Sequence, residues 1–369
     1  MITFPTNKDT IEQRVASINP VEYAKTRNYI NGHVSYLSPY ISRGVLTTLN
    51  IFEHLISTSY SWEECESFIK ELAWRDFFQY TWQILGTDIN KDIKQVQSNV
   101  LNRGIPRSIN DASTGIVAID SAIQQLYKYG YMHNHVRMYT ASIICNIAHC
   151  HWLQPANWMY YHLLDADWAS NACSWQWVAG SFSNKLYYAN QENINRFTGT
   201  EQRNTFLDTS YEALPILNIP DVLQDITTLD LSTNLPLSTG IERIDTTLPT
   251  LLFNWYNLDS NWHHDMNANR ILLLEPSVFQ QYPISSSSVR FMLELASNIP
   301  NLIIYTGEFS EMKLLVDNKS IYFKQHPMQN YVGLEEKRKS MATIPEKELK
   351  SFFSYWKYIE PELRQEFNL

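Results

Sequence analysis

Hydrophobic and polar positions follow a helical period through most of the first two hundred residues. Between residues 11 and 58 apolar side chains recur at three- and four-residue spacing, with one break at NGHVSYLSPY. Ser61 and Glu64 then make a capping-box pattern, and the run behind them predicts a helix ending at Leu85, just before Gly86. Within that run Glu71, Trp74, Arg75 and Phe78 sit at i, i+3, i+4 and i+7, so they share a face. The period is lost over 87–110, where Gly104 and Pro106 act as breakers. It returns between Tyr131 and Gly180, first in a helix that Gly130 and Tyr131 open, then in an apolar run from Trp158 to Leu164. Asp165 and Asp167 follow that second run, which places both carboxylates near the interior. Buried carboxylates need partners or donors, and Arg137 and Asn134 are the candidates.

The pattern changes after Asp208. Residues 208–249 are rich in Thr, Ser, Leu and Pro with little periodicity, and read as an extended linker or wrapping segment. Short apolar runs at Leu251–Tyr256, Ile271–Glu275, Leu302–Thr306 and Ile321–Phe323 follow. They alternate with helical stretches at Ser288–Ser297, Glu308–Val316 and Glu346–Tyr358. Such alternation predicts a small parallel α/β layer. The expected organisation is a helical domain over 1–207, the linker over 208–249 and a small α/β domain over 250–369.

Composition narrows the class. No apolar run is long enough to cross a membrane, and the N-terminus has no apolar signal core, so a cytoplasmic protein is expected. Cys65, Cys145, Cys150 and Cys173 lack CxxC spacing and read as reduced thiols. Cys145 and His149 share a helix face, but two ligands make no metal site, and none is expected. The net charge of −9 is uneven: residues 1–200 hold 15 basic and 16 acidic residues, residues 201–369 hold 14 and 22. A duplex-binding surface is usually basic, so any nucleic-acid contact belongs to the front half.

The break at NGHVSYLSPY carries its own chemistry. Ser38 is placed to cap a helix that Pro39 opens, which leaves free backbone N–H groups pointing outward. Such a terminus suits a phosphate, and Ser35 and Ser38 add hydroxyls, with Arg43 one turn in.

Several runs, taken in order, closely resemble the flavin-binding core of DNA photolyases and cryptochromes. They are SYLSPY (35–40), ELAWRDFF (71–78), YMHNHVRM (131–138), Trp152, LDADWASN (164–171) and WQW (175–177). The resemblance covers about residues 20–205. It implies a mainly α chain, with a photolyase/cryptochrome-like helical FAD-binding domain followed by a small α/β unit. It also implies that the N-terminal antenna domain usual in the family is lacking. FAD is the implied cofactor, bound by Tyr23, Ser35, Tyr36, Leu37, Ser38, Arg75, Asn134, Arg137, Asp165, Asp167 and Asn171, with Asn171 facing the flavin N5. Glu71, Trp74, Asn134, Met138 and Trp177 are the implied pocket for a flipped pyrimidine dimer. Trp175 and Trp152 match the inner two members of an electron relay.

The implied activity is light-driven repair of cyclobutane pyrimidine dimers in damaged DNA, single strands included. The alternative is a cryptochrome-like blue-light receptor or redox flavoprotein that meets a protein partner through its C-terminal α/β unit. Departures from the family pattern bear on this choice. Val34 replaces a threonine, Ile109 a lesion-contacting tryptophan and His135 a DNA-contacting arginine, while Asn99 falls near the place of the outermost relay tryptophan.

Overall fold

The longest helix shows how local signals set the frame. Ser61 accepts from the Glu64 N–H while Glu64 reaches back to the Ser61 N–H at 2.8 Å, so both orphan donors of the first turn are satisfied. The helix runs Trp62–Leu85 and stops at Gly86, whose φ of 52° few other residues tolerate.

This computed structural model describes residues 3–316, 320–345 and 348–367. In chain order the helices are α1 Lys8–Ala16, α2 Pro20–Thr26, α3 Ser38–Ser42, α4 Thr48–Ile56, α5 Trp62–Leu85, α6 Arg107–Asn110, α7 Val117–Tyr129, α8 Asn134–Ser142, α9 Leu153–His162, α10 Trp168–Val178 and α11 Gln191–Thr198. They continue as α12 Pro276–Gln281, α13 Ser286–Ala296, α14 Phe309–Met312 and α15 Phe352–Phe367. The strands are β1 Ile105–Pro106, β2 Ile226–Thr227, β3 Thr250–Phe253, β4 Asn269–Leu274, β5 Leu302–Thr306, β6 Ile321–Lys324 and β7 Leu334–Glu336. The chain is mainly α with a small parallel sheet.

That sheet has the order β5-β4-β3-β6-β7, and every neighbouring pair is parallel. β3 and β4 are buried at every position, as expected when helices cover both faces and the strands read as continuous apolar runs. A small core of Leu252, Ile271, Leu273 and Ile303 under α14 fills one face, and the other face joins the large helical core.

Two contacts tie the C-terminal half onto the helices. Ser285 donates its N–H to Tyr161 at 2.9 Å and the Ser288 hydroxyl reaches Leu163, seating α13 beside α9. α15 lies along α5, with Trp356 stacked on Trp62 and Phe352 on Trp74 at 3.7 Å between ring centroids. Arg43 is wholly buried where β3 ends: its guanidinium lies 3.2 Å from the Trp255 ring centroid and donates to the Ala166 carbonyl.

Three local expectations shift. Gly130 closes α7 in the left-handed conformation instead of opening the next helix, which starts at Asn134 after a His133 cap. Residues 254–256 leave the sheet to pack around Arg43. The last helix starts at Phe352, where the Ser351 hydroxyl accepts from the Ser354 N–H, and runs on to Phe367; Glu346 and Lys347 of the expected stretch lie outside the described residues.

Candidate functional site

The turn between α9 and α10 carries both aspartates into the space between α3, α5 and α8. Asp167 caps α10: one oxygen accepts from the Ser170 N–H at 3.0 Å. Its other oxygen takes Arg75 at 2.9 Å and the Gln79 amide at 2.7 Å. Asp165 receives Arg137 Nη2 on both oxygens, at 3.0 and 2.9 Å, and the Ser38 hydroxyl at 2.7 Å. Arg137 is steadied from behind by its Nε, which donates to Met132 O at 2.8 Å. The Ser42 hydroxyl accepts from Arg75 and donates to the Asp165 carbonyl, so it links the two pairs.

Burial alone would raise the Asp165 carboxyl, but the Arg137 charge and the Ser38 and Arg137 hydrogen bonds outweigh it and hold the group below the usual carboxylate range. Each aspartate is fixed by a guanidinium and a second donor.

A cleft opens beside these pairs. Arg75, Asn134, Arg137, Met138, Asp165, Asp167, Asn171 and Trp175 all line it, together with Met159, Leu163 and Ser170. Asn171 donates one Nδ2 hydrogen to Ala156 O at 2.8 Å, which leaves Oδ1 and the second amide hydrogen to offer. The Ser170 hydroxyl is buried without a protein partner. A planar heteroaromatic ring with donors and acceptors on its edge fits this set: apolar walls from Met138, Met159, Leu163 and Trp175, and polar groups from the aspartates, asparagines and arginines.

The other expected site residues lie outside that lining. Ser38 does not cap its helix; Leu37 holds the cap position, and the Ser38 hydroxyl is drawn instead to the stronger acceptor, the Asp165 carboxylate. Tyr36 adopts φ 53° and its ring meets Tyr131 edge-on at 5.3 Å, while Leu37 is buried. Ser35 is half-buried at the same loop. Tyr23 packs its ring 4.7 Å from Phe68, and burial pushes its hydroxyl far above the usual range. Glu71 pairs with Arg27 at 3.1 Å, leaving Arg75 to Asp167; burial raises the Glu71 carboxyl and Arg27 opposes it. Trp74 stacks on Phe352, with Phe78 tilted against it, and does not line the cleft. Trp177 is 38% exposed against Tyr187. Trp152 is fully buried, with its indole N–H donating to Asp92 at 2.7 Å.

Gln79 and Ser42 belong to the site although the motifs do not name them. Each stands four residues after a motif residue on the same helix face, Arg75 and Ser38, and that spacing is the signal that could have found them.

Residues 68–207 match the family model described as the FAD binding domain of DNA photolyase. This segment is similar to the photolyase-type FAD-binding domain, and FAD is its cofactor. The domain contains Arg75, Asn134, Arg137, both aspartates, Asn171 and Trp175, so the cleft lies inside the matched span.

Similar proteins carry related names. The deoxyribodipyrimidine photo-lyase of Alkalihalophilus pseudofirmus is 28% identical over 51% of this chain and 40% of its own length. That of Agrobacterium fabrum is 32% identical over 40% of this chain and 32% of its own, and a cryptochrome DASH of Natronomonas pharaonis is 29% identical over 43% and 35%. The chain thus spans less than half the length of these relatives. Among solved structures, the Synechocystis sp. PCC6803 cryptochrome superposes with a TM-score of 0.49 at 23% identity, over 53% of this chain and 44% of that one.

The donor set fits the flavin. Asp165, Asp167 and Asn171 offer acceptors to ring and ribityl donors, Arg75 and Arg137 offer cationic donors, and Ser170 of the same lining has a buried hydroxyl with no protein partner. All four cysteines are buried and free, and no group of three metal-binding side chains occurs among the described residues. No helix among them is long and apolar enough to cross a membrane.

Proposed function

We propose that this chain is a light-driven flavoprotein that repairs cyclobutane pyrimidine dimers in DNA, acting in the cytoplasm. When bound and reduced, FAD supplies on excitation the electron that splits the dimer. Arg137 and Asp165 hold the polar edge of its ring, with Asp167 and Arg75 beside them and Asn171 Oδ1 available to accept from N5–H. Tyr23 and the Ser35–Ser38 loop hold its phosphates. Asn134 and Met138 line the cleft and, with Glu71, Trp177 and the face of Trp74 that Phe352 leaves uncovered, form the chamber for a flipped pyrimidine pair. A base must leave the stack to be worked on, and an aromatic face each side offsets the lost stacking.

The observation that carries this reading is the pairing of a polar cleft with an uncovered indole. Trp177 keeps 38% of its surface exposed three residues after Ser174, which lines the cleft. A large aromatic left bare next to a polar cleft suits stacking on a ligand better than core packing. Trp175, in the cleft wall, and Trp152 are the inner members of the electron path.

The test is irradiation of photoreduced, flavin-loaded protein with dimer-containing single- and double-stranded oligonucleotides. Light-dependent return of monomeric pyrimidines is expected. Its absence with full flavin occupancy would overturn the repair activity. One observation favours the second reading, a blue-light receptor or redox flavoprotein: Phe352 of α15 covers one face of Trp74 at stacking distance. A protein that photoreduces, fails to repair and binds a protein partner through its α/β unit would match that reading.

A further inference from the structure

A second cleft lies behind the Arg75–Asp167 pair, which lines both. One wall comes from α4 and α5, with Thr48, Asp76 and Gln79; the other comes from the chain after β7, with Arg338 and Ser340. Its void of about 70 Å³ has room for one tetrahedral oxyanion.

Two buried atoms in this lining have no protein partner, Arg338 Nη1 and Gln79 Oε1. The orientation of Gln79 is fixed: its Nε2 donates to Asp167 at 2.7 Å, and a carboxylate can only accept, so Oε1 is the atom left over. The carboxylates near Arg338 are already engaged. Asp167 is bound by Arg75 and Gln79, and Asp76 by the Thr48 hydroxyl at 2.8 Å and the Met341 N–H at 3.4 Å. Burial holds the Arg338 guanidinium below its ordinary value, with Asp167 opposing and Arg75 adding repulsion. Lys339 stands exposed at the rim, so Arg75, Arg338 and Lys339 face Asp76 and Asp167 with one positive charge in excess. A buried guanidinium N–H with no acceptor is costly, and an anion's oxygen removes that cost.

We propose that this cleft binds a phosphoryl group, as inorganic phosphate or as the end of a small phosphate monoester. Arg338 Nη1 donates to its oxygens, Lys339 closes the rim, and Gln79 Oε1 accepts from the P–OH of the protonated form. Gln79, Arg75 and Asp167 connect the bound anion to the wall of the flavin cleft. Arg338 and Lys339 line this cleft and not the flavin cleft, so failure of the site and failure of dimer repair are read separately.

The test is calorimetric titration of inorganic phosphate, and separately of glycerol 3-phosphate, into flavin-loaded protein at constant ionic strength, with flavin absorbance followed throughout. Saturable one-site binding is expected, at least tenfold weaker in Arg338→Gln, with flavin retained. Equal binding of both probes assigns the site to phosphate monoesters, and binding of inorganic phosphate alone assigns it to the free ion. No saturable binding, or equal binding in Arg338→Gln, would overturn the site. Release of flavin by phosphate would overturn it too, because the anion would then be entering the cofactor's own phosphate position. Should Arg338→Gln fail to fold, Lys339→Glu on the exposed rim decides: binding at least threefold weaker supports the site, and unchanged binding refutes it.

Discussion

Replacing Asp165 by alanine strands a cation. In the intact protein Arg137 Nη2 meets both Asp165 oxygens and Ser38 donates to one of them, while the Asp165 side chain is only 6% exposed. Breaking a buried pair on one side costs about 3–5 kcal/mol. Arg137 is 21% exposed and its Nε stays anchored on Met132, so the stranded charge keeps some water and the cost falls near the low end, about 3 kcal/mol. The Ser38 hydroxyl also loses its acceptor, adding about 1 kcal/mol. The total of about 4 kcal/mol is a large part of the ~5–15 kcal/mol that holds a domain together. Asp165→Asn, which still accepts from Ser38, should lose less. Urea titration followed by circular dichroism measures the loss, and flavin absorbance after gel filtration measures retention. The sign with pH is fixed too. The Asp165 pKa is held low in the fold, so its contribution is full above the unfolded value of about 3.9 and disappears as pH falls below it. The gap between wild type and Asp165→Ala should therefore close in acid. An alanine variant with unchanged midpoint and full flavin would refute the reasoning.

Three other outcomes are expected. Asp76 is pushed up to about 6 by burial from a value of 3.8, so the folded state keeps its proton longer and stability falls as pH rises between those values. Asp76→Asn should remove that slope and gain roughly 3 kcal/mol above pH 6 relative to pH 4, at about 1.36 kcal/mol per pKa unit, in paired urea titrations. Phe352→Ala should cost about 3–5 kcal/mol by the same titration and shift tryptophan emission, because it empties a buried stacking position on Trp74. Trp175→Phe should leave flavin bound yet nearly abolish its photoreduction under blue light, and unchanged photoreduction would mean that another donor feeds the cleft.

The helical half was legible because its signals are local. The Ser61–Glu64 box and Gly86 fix both ends of α5 within a few residues of chain, and the apolar runs from 251 to 323 predict a parallel layer that the sheet contains. The Arg137–Asp165 pair followed from a rule of charge burial. Partners of Arg75 and Glu71 did not follow, since helical spacing offered them to each other while packing gave them to Asp167 and Arg27. Arg338 and Phe352 left no trace at all. Each reaches α5 from across the fold, and no periodicity within either stretch encodes that meeting.

The α5–α15 contact also sets an order in time. Arg364 meets Glu63 across 301 residues of chain, and Leu349 donates to the Tyr80 hydroxyl across 269. A ribosome adding about 5–20 residues per second leaves roughly 15 to 60 s between α5 and the helix that covers Trp62 and Trp74. Through that interval the newborn helices carry bare indoles. A chaperone, or the early flavin itself, would have this window in which to shield them, and a stop codon placed just before Phe352 would prolong it without end.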